Sequence, residues 1–180
     1  GGASGIGLAT SELFARCGAK VAMNDLSGNP NLEREVQRLQ EDGLDVIAAP
    51  GNVGDAEDCK RMVTQAIADL GGLDHLINNA GTPGTKSPIP LSDLEAVDEE
   101  LWGRIMDVNL LGAYLCAHTA AKALKDGGGA IVNTASQAGL TGMGSSLAYA
   151  VSKAGLINLT RSLARGLAPE VPVNCIAPGM

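Results

Sequence analysis

Residues 1–25 read GGASGIGLATSELFARCGAKVAMND, and this stretch decides how the rest of the sequence is interpreted. It opens with a glycine-rich loop, continues with a helix-like run over 8–17 and ends with an apolar run over 20–25. The N–H groups at the start of a helix can bind a pyrophosphate, and glycine lets the backbone approach it closely. An ordinary glycine-rich turn would look the same, so the motif needs support from the remaining chain.

Short apolar runs alternate with longer amphipathic stretches along the rest of the sequence. The pattern predicts strands over residues 20–25, 45–49, 73–77, 130–134 and 171–176. It predicts helices over residues 31–42, 55–70, 98–124 and 149–167, and a surface loop with a short helical turn over 82–97. Such alternation indicates parallel βαβ units. We therefore expect an α/β fold with a doubly wound parallel sheet, three-layer α/β/α, as a single domain over residues 1–180.

Composition and charge exclude several classes of protein. The 180 residues carry 13 Lys and Arg against 20 Asp and Glu, so the formal net charge is −7. An acidic chain is a poor partner for nucleic acid or an anionic membrane, because phosphate binding requires a basic face. No run of 18 apolar residues is present, so we expect no transmembrane span.

The cysteines and histidines give no sign of a metal site. No two of the four cysteines form a CxxC pair, and only two histidines are present, so we expect no bound metal. Cysteines in apolar or helical contexts are typical of free, buried thiols in a reducing compartment, which favours a cytoplasmic protein. These residues are Cys17, Cys59, Cys116, Cys175, His75 and His118.

Asp25 ends the apolar run over 20–25, roughly twenty residues after the glycine-rich loop. A carboxylate at this place can accept both hydrogen bonds from an adenosine ribose diol, and it repels a 2′-phosphate. No Lys or Arg stands at Ser4, Leu26 or Ser27 to bind such a phosphate. The sequence therefore favours NAD over NADP, although Asp25 would also suit a surface turn.

Polar residues follow the strand predicted over 73–77. Asn78 and Asn79 are followed by Ala80 and Gly81, which places two amides at the carboxyl edge of the sheet. Open α/β sheets bind their ligands at this edge. A simple turn is the alternative interpretation of these residues.

Tyr149 and Lys153 stand four residues apart on a predicted helix, so they share one face. A free tyrosine has a pKa of about 10, and a desolvated ammonium beside it, together with a nicotinamide cation, favours the phenolate. Ser136 follows the strand predicted over 130–134 and precedes Tyr149 by thirteen residues. Asn109 lies inside the long predicted helix, where it either turns its amide inward or is merely tolerated.

Taken together, these motifs resemble those of the short-chain dehydrogenase/reductase family, in its ordinary rather than extended branch. The resemblance runs along the whole chain and implies a Rossmann-like fold. It is carried by the glycine-rich loop, the Asn78–Gly81 segment, the Asn109 position, Ser136, the Tyr149-x-x-x-Lys153 pair and Pro178-Gly179.

The resemblance implies a role for each matched position. Tyr149 corresponds to the general acid/base, and Lys153 to the residue that promotes its ionisation and holds the nicotinamide ribose. Ser136 orients the substrate oxygen, and Asn109 keeps a water in a proton relay to Lys153. The residues implied in NAD binding are Gly1, Ser4, Gly5, Ile6, Gly7, Asp25, Asn52, Val53, Asn79, Ala80, Gly81, Tyr149, Lys153, Pro178 and Gly179.

The chain also departs from the family pattern. The family has Asp before the Val that follows its third strand, whereas this chain has Asn52, whose amide can still contact adenine. The first, central strand of the family pattern has no counterpart, so we expect a gap between strands 20–25 and 73–77. The substrate-covering segment has none either. We therefore expect an internal fragment that is poorly folded and inactive on its own.

The expected activity is NAD-dependent interconversion of a secondary alcohol and a ketone. Leu140, Met143 and Leu147 suggest a pocket for a lipophilic or cyclic substrate, although Met143 and Leu147 also suit core packing. Alternatives are a 3-oxoacyl-thioester reductase of fatty-acid type, against which Asp25 counts because such reductases generally prefer NADPH, and a non-catalytic NAD-binding scaffold. By analogy we expect a homo-oligomer, a tetramer or dimer. The substrate and the direction of reaction stay open.

Overall fold

A computed structural model describes residues 1–179, which form helices and strands in strict alternation over most of their length. The strands are β1 (Val21–Asp25), β2 (Val46–Pro50), β3 (His75–Asn78), β4 (Ala130–Thr134) and β5 (Val173–Ile176). The helices are α1 (Gly5–Arg16), α2 (Pro30–Glu41), α3 (Ala56–Leu70), α4 (Glu99–Met106), α5 (Gly112–Gly127), α6 (Ala138–Thr141) and α7 (Leu147–Gly166). The predicted α/β fold with parallel strands is confirmed.

The long helix predicted over 98–124 is interrupted. α4 passes into one π-helical turn over Asp107–Leu111 before α5 begins. The start of α4 agrees with the predicted start at residue 98. The Asp98 side chain caps the helix there by accepting a hydrogen bond from Leu101 N at 2.8 Å. The π turn places the buried Asn109 where a regular helix would not, since it adds a residue to one turn.

Two elements differ from the sequence prediction in other ways. The loop over 82–97 contains hydrogen-bonded turns but, within the described residues, no helix. The short helix α6 was not predicted, because four residues are too few to show a helical period.

The strands form two separate parallel sheets. β1 pairs with β2, and β3 pairs with β4, which pairs with β5. The gap predicted between strands 20–25 and 73–77 is therefore present, as a cleft of about 860 Å³ between β1 and β3. Residues of both strands line it, including Val21, Ala22, Leu76 and Ile77.

A core of aliphatic side chains lies where α3 and α5 pack on the strands. Leu124 and Ile131 are fully buried in it. Cys59 and Cys116 lie in the same cluster with their Sγ atoms 3.5 Å apart, and the pKa of Cys116 is raised by its contact with Cys59 and by burial. The prediction of buried thiols is right for these two and wrong for Cys17, which is exposed at the end of α1.

Among residues 1–179, none of the helices combines the length and the apolar character that a membrane span requires.

Replacing Leu124 with Ala in the full-length protein tests this packing. Leu124 has no exposed surface, so the change removes buried methyl groups and leaves a cavity. We expect the free energy of unfolding in urea to fall by about 2–5 kcal/mol. The matched control is Leu140→Ala, at a side chain that is 66% exposed, where a loss approaching that of Leu124→Ala would contradict the assignment.

Candidate active site

The glycine-rich loop leads directly into α1 and leaves the start of that helix open. The N–H groups of the first helical turn have no partners within a helix, and the Ser4 hydroxyl makes no capping bond to them. Ser4, Gly5 and Ile6 are exposed. The helix N-terminus can therefore receive an anion.

Position 7 has no room for a side chain larger than that of glycine. A Cβ atom there would overlap the carbonyl group of Gly1 and lie 2.6 Å from Nδ2 of Asn79. Asn79 in turn donates from Nδ2 to the Gly1 carbonyl at 3.0 Å. This contact holds the loop against the segment after β3, as expected for two parts of one site.

Asp25 ends β1 beside this loop. Its carboxylate accepts hydrogen bonds from Leu26 N at 2.9 Å, Asn29 Nδ2 at 2.9 Å and Ala3 N at 3.3 Å. Burial alone would raise the pKa of Asp25, but the hydrogen bonds from Asn29 and Leu26 hold it below the usual value. A negative charge therefore stands at the end of β1 at neutral pH.

Asn52 and Val53 follow β2 along the same edge. The Asn52 side chain is exposed and accepts a bond from Gly54 N at 3.0 Å through Oδ1, so its amide nitrogen remains available. Val53 is buried, and its carbonyl lies 2.9 Å from the position of a Cβ on Gly112. Only Asn52 of this pair offers a polar group to a ligand.

Tyr149 and Lys153 lie side by side on α7. The Lys153 Nζ atom is 5.8 Å from the centroid of the Tyr149 ring and donates to the Thr134 carbonyl at 2.8 Å. Lys153 is only 3% exposed, and this burial lowers its pKa to about 8. A Cβ on Gly81 would lie 3.2 Å from Nζ, so the glycine leaves room for the ammonium beside the segment after β3.

Asn109 is 1% exposed and its amide is fully engaged. Oδ1 accepts from Thr82 N at 2.7 Å, while Nδ2 donates to Thr82 O and to Ser152 Oγ, both at 3.0 Å. Ser152 then donates to the Tyr149 carbonyl at 2.8 Å. The side chain therefore joins the loop after β3 to the helix that carries Tyr149.

Ser136 follows β4 and stands just before α6. Its Oγ accepts a bond from Ala138 N at 3.1 Å, which leaves the hydroxyl proton free for another acceptor. The next residue, Gln137, donates from its backbone N to the Pro178 carbonyl at 3.0 Å. Pro178 and Gly179 follow β5, so the ends of β4 and β5 meet beside Ser136.

The three apolar residues proposed for a substrate wall differ in exposure. Leu140 and Met143 are 66% and 71% exposed near Ser136 in sequence, so they are available to a ligand. Leu147 is partly buried at the first position of α7. The alternative that Met143 packs the core is wrong.

Sequence reasoning did not identify several residues that contact these side chains. Ser152, Thr82 and Thr134 act through backbone or hydroxyl groups that bring distant segments together. Only Ser152 gave a signal, since it lies three residues after Tyr149 and hence on the same side of α7.

Known proteins of similar sequence and fold indicate the family of this chain. A family model described as short chain dehydrogenase matches residues 1–180. The chain is 35% identical to the 3-oxoacyl-acyl-carrier-protein reductase FabG of Staphylococcus aureus, covering 99% of this chain and 71% of the relative. It is also 35% identical to the cis-4-hydroxycyclohexanecarboxylate dehydrogenase of Sinomonas cyclohexanicum, with 99% and 70% covered.

A solved structure shows the same fold. A protein from Burkholderia xenovorans, described as a short-chain dehydrogenase/reductase, superposes with a TM-score of 0.92 at 36% identity, covering 99% of this chain and 74% of that one. The fold and the matched motifs thus define an oxidoreductase of the Rossmann type. The chain belongs to the short-chain dehydrogenase/reductase family, whose members use NAD(P) and act on CH–OH groups.

The burial of Lys153 makes stability depend on pH. Its folded pKa of about 8 lies below the unfolded value of 10.5, so the unfolded chain binds more protons between these pH values. Folding is penalised below pH 8, and the penalty disappears as the pH rises to 10.5. Since one pKa unit corresponds to about 1.4 kcal/mol, the gain amounts to about 3 kcal/mol.

Urea unfolding without cofactor, compared with Lys153→Met, measures this effect. Between pH 8 and 10.5, the unfolding free energy of the Lys153 protein should rise by about 3 kcal/mol relative to that of Lys153→Met. A difference that is constant with pH would mean that Lys153 titrates normally.

Proposed function

We propose that this protein is an NAD-dependent dehydrogenase that interconverts a secondary alcohol and a ketone, with Tyr149 as general acid/base. The observation that carries the proposal is the placement of the buried Lys153 ammonium 5.8 Å from the Tyr149 ring centroid, at the carboxyl edge of the strands. A cation at this place stabilises a phenolate by charge attraction in a site of low polarity.

The residues at the strand ends fit a dinucleotide. The open start of α1 suits a pyrophosphate, with Gly1, Ser4, Gly5, Ile6 and Gly7 as its cradle. Asp25 would hold the ribose diol, Asn52 and Val53 the adenine side, and Asn79 to Gly81 the middle of the cofactor. Pro178 and Gly179, beside Ser136, would border the nicotinamide.

Asp25 supports NAD rather than NADP. Its carboxylate is anionic at neutral pH, because hydrogen bonds from Asn29 and Leu26 keep its pKa low. A 2′-phosphate at the same place would bring like charges together, a cost that a neighbouring Lys or Arg side chain would have to offset. Leu26 and Ser27, which follow Asp25, supply none.

The reaction divides simply among the side chains. When bound, NAD would supply the hydride acceptor for oxidation and, in its reduced form, the hydride donor for reduction. In oxidation, Tyr149 as phenolate takes the proton of the substrate hydroxyl, and in reduction it returns that proton. Ser136 donates a hydrogen bond from its hydroxyl to the substrate oxygen and so orients it, while the Lys153 ammonium stabilises the negative charge of the Tyr149 phenolate.

Asn109 is proposed to support a proton relay to Lys153. The contacts of its amide are all made, to Thr82 and Ser152, so the side chain supports the relay by fixing the surrounding elements. Any water of the relay would need other polar groups.

A lipophilic or cyclic alcohol suits the exposed Leu140 and Met143 as substrate class. The relative from Sinomonas, named for a hydroxycyclohexane substrate, favours this choice. The second candidate is reduction of a 3-oxoacyl thioester, which the FabG relative favours and which Asp25 disfavours. We further propose a cytoplasmic homo-oligomer, a tetramer or dimer, built partly on α4, α5 and α7.

Tyr149→Phe in the full-length protein tests the catalytic role, with NADH absorbance at 340 nm as the readout. The panel contains cyclohexanol, cis-4-hydroxycyclohexanecarboxylate and acetoacetyl-CoA with NADH. We expect kcat to fall by about 10²- to 10⁴-fold, because the proton acceptor is lost, while NAD binding is retained. The control is Tyr114→Phe, at an exposed tyrosine packed on His118.

Unchanged turnover in Tyr149→Phe would rule out the assignment. NAD binding by the parent protein without turnover of any panel member would instead support the scaffold alternative.

Asp25→Ser tests cofactor choice. Removal of the carboxylate removes the repulsion of a 2′-phosphate, so the ratio of kcat/KM for NADP to that for NAD should rise at least about tenfold, equivalent to about 1.4 kcal/mol. Asp45→Asn, at an exposed carboxylate near Lys20, serves as the control. A preference for NADP in the parent protein would contradict the proposal at once.

A further inference from the structure

Gly139 is the point at which helix α6 touches helix α7. A Cβ atom on Gly139 would lie 2.6 Å from the Lys153 carbonyl carbon, 2.7 Å from Ala154 N and 2.8 Å from Lys153 O. Cβ atoms essentially never lie less than 3.0 Å from a non-bonded heavy atom. Since all three neighbours are backbone atoms within a 20-residue helix, no change of rotamer can relieve the overlap.

The requirement at position 139 concerns space and not backbone conformation. Gly139 is absent from the glycines with positive φ, unlike Gly142, which ends α6 with φ of 74°. An alanine could therefore adopt the backbone of residue 139 freely. The three atoms nearest to its Cβ position all belong to the backbone of α7.

Ser136 is attached to the same short helix. The Ser136 carbonyl accepts from Gly139 N at 3.0 Å, and Ser136 Oγ accepts from Ala138 N at 3.1 Å. Any displacement of α6 away from α7 is therefore transmitted to the Ser136 hydroxyl through these two bonds.

The residues before Ser136 cannot follow such a displacement. Thr134 O is held by Lys153 Nζ at 2.8 Å, and Ala135 N donates to Ile176 O at 2.8 Å. Ser136 thus stands between a strand end fixed in the sheet and a helical turn whose distance from α7 is set at Gly139.

We propose that Gly139 is a positioning residue, which sets the place of the Ser136 hydroxyl relative to Tyr149 by letting α6 rest on the α7 backbone at Lys153. The proposal rests on the proposed function, in which Ser136 and Tyr149 act on one substrate oxygen. Gly144 supports it from the other side, since a Cβ there would lie 2.9 Å from Ala138 Cβ and 3.1 Å from Tyr149 Cδ1.

Gly139→Ala in the full-length protein is the direct test, assayed with NAD and the panel member that the parent protein turns over fastest. Misplacement by about 1 Å can cost about 10²-fold in rate, so we expect kcat to fall by about 10- to 100-fold. The dissociation constant of NAD should change less than kcat, because the glycine-rich loop and Asp25, proposed to hold the pyrophosphate and the ribose diol, lie on other elements. Gly103→Ala is the matched control, a helical glycine with no atom within 4 Å of its Cβ position.

A double-mutant cycle with Ser136→Ala separates positioning from general weakening of the fold. If Gly139 acts through Ser136, the alanine at 139 costs less than about threefold in kcat once the hydroxyl is absent. A purely structural effect would lower kcat by the same factor in both backgrounds, and that result would overturn the proposal. So would a Gly139→Ala enzyme as active as the Gly103→Ala control.

A second variant keeps the proposal testable if Gly139→Ala yields no folded protein. Gly144→Ala presses on Ala138 from outside, so it should lower kcat, and Ala138→Gly in the same chain should restore much of the loss. Absence of any rescue would overturn the proposal.

Tyr149→Phe, assayed in parallel, distinguishes the two levels of inference. An active Tyr149→Phe enzyme refutes the proposed function itself. An inactive one, together with a Gly139→Ala enzyme equal to its control, refutes only the positioning role.

Discussion

The hydrogen bond from Lys153 Nζ to the Thr134 carbonyl is the contact on which the candidate site depends. It fixes a buried cation, carried by α7, to the end of the strand that leads to Ser136. The desolvation that lowers the pKa of Lys153 to about 8 also makes its charge act strongly on neighbouring groups. One contact thus sets both the geometry and the electrostatics of the Tyr149 surroundings.

Much of the fold could be predicted because it follows from local periodicity. Apolar runs marked the five strands, and Asp98 marked the start of α4 through a capping bond that involves only neighbours in sequence. The Tyr149 and Lys153 pair was equally accessible, since helical spacing alone places both side chains on one face. The family resemblance supplied the roles, which the geometry supports without testing them.

Features that depend on distant contacts could not be predicted. The π turn around Asn109 satisfies an amide whose partners, Thr82 and Ser152, lie 27 and 43 residues away. Gly139 carries no local signal, because its φ is ordinary and its neighbour is the backbone of another helix. The Cys59 and Cys116 contact likewise arises from the packing of α3 on α5 across 57 residues.

The contact between Asn79 and the glycine-rich loop has a consequence for unfolding. Asn79 Nδ2 donates to the Gly1 carbonyl at 3.0 Å, and Gly2 N donates to the Asn24 carbonyl in β1 at 2.6 Å. The loop therefore ties the segment after β3 to the end of β1. A ligand bound to the loop would stabilise both sheets jointly, and saturation with it should make their melting more cooperative.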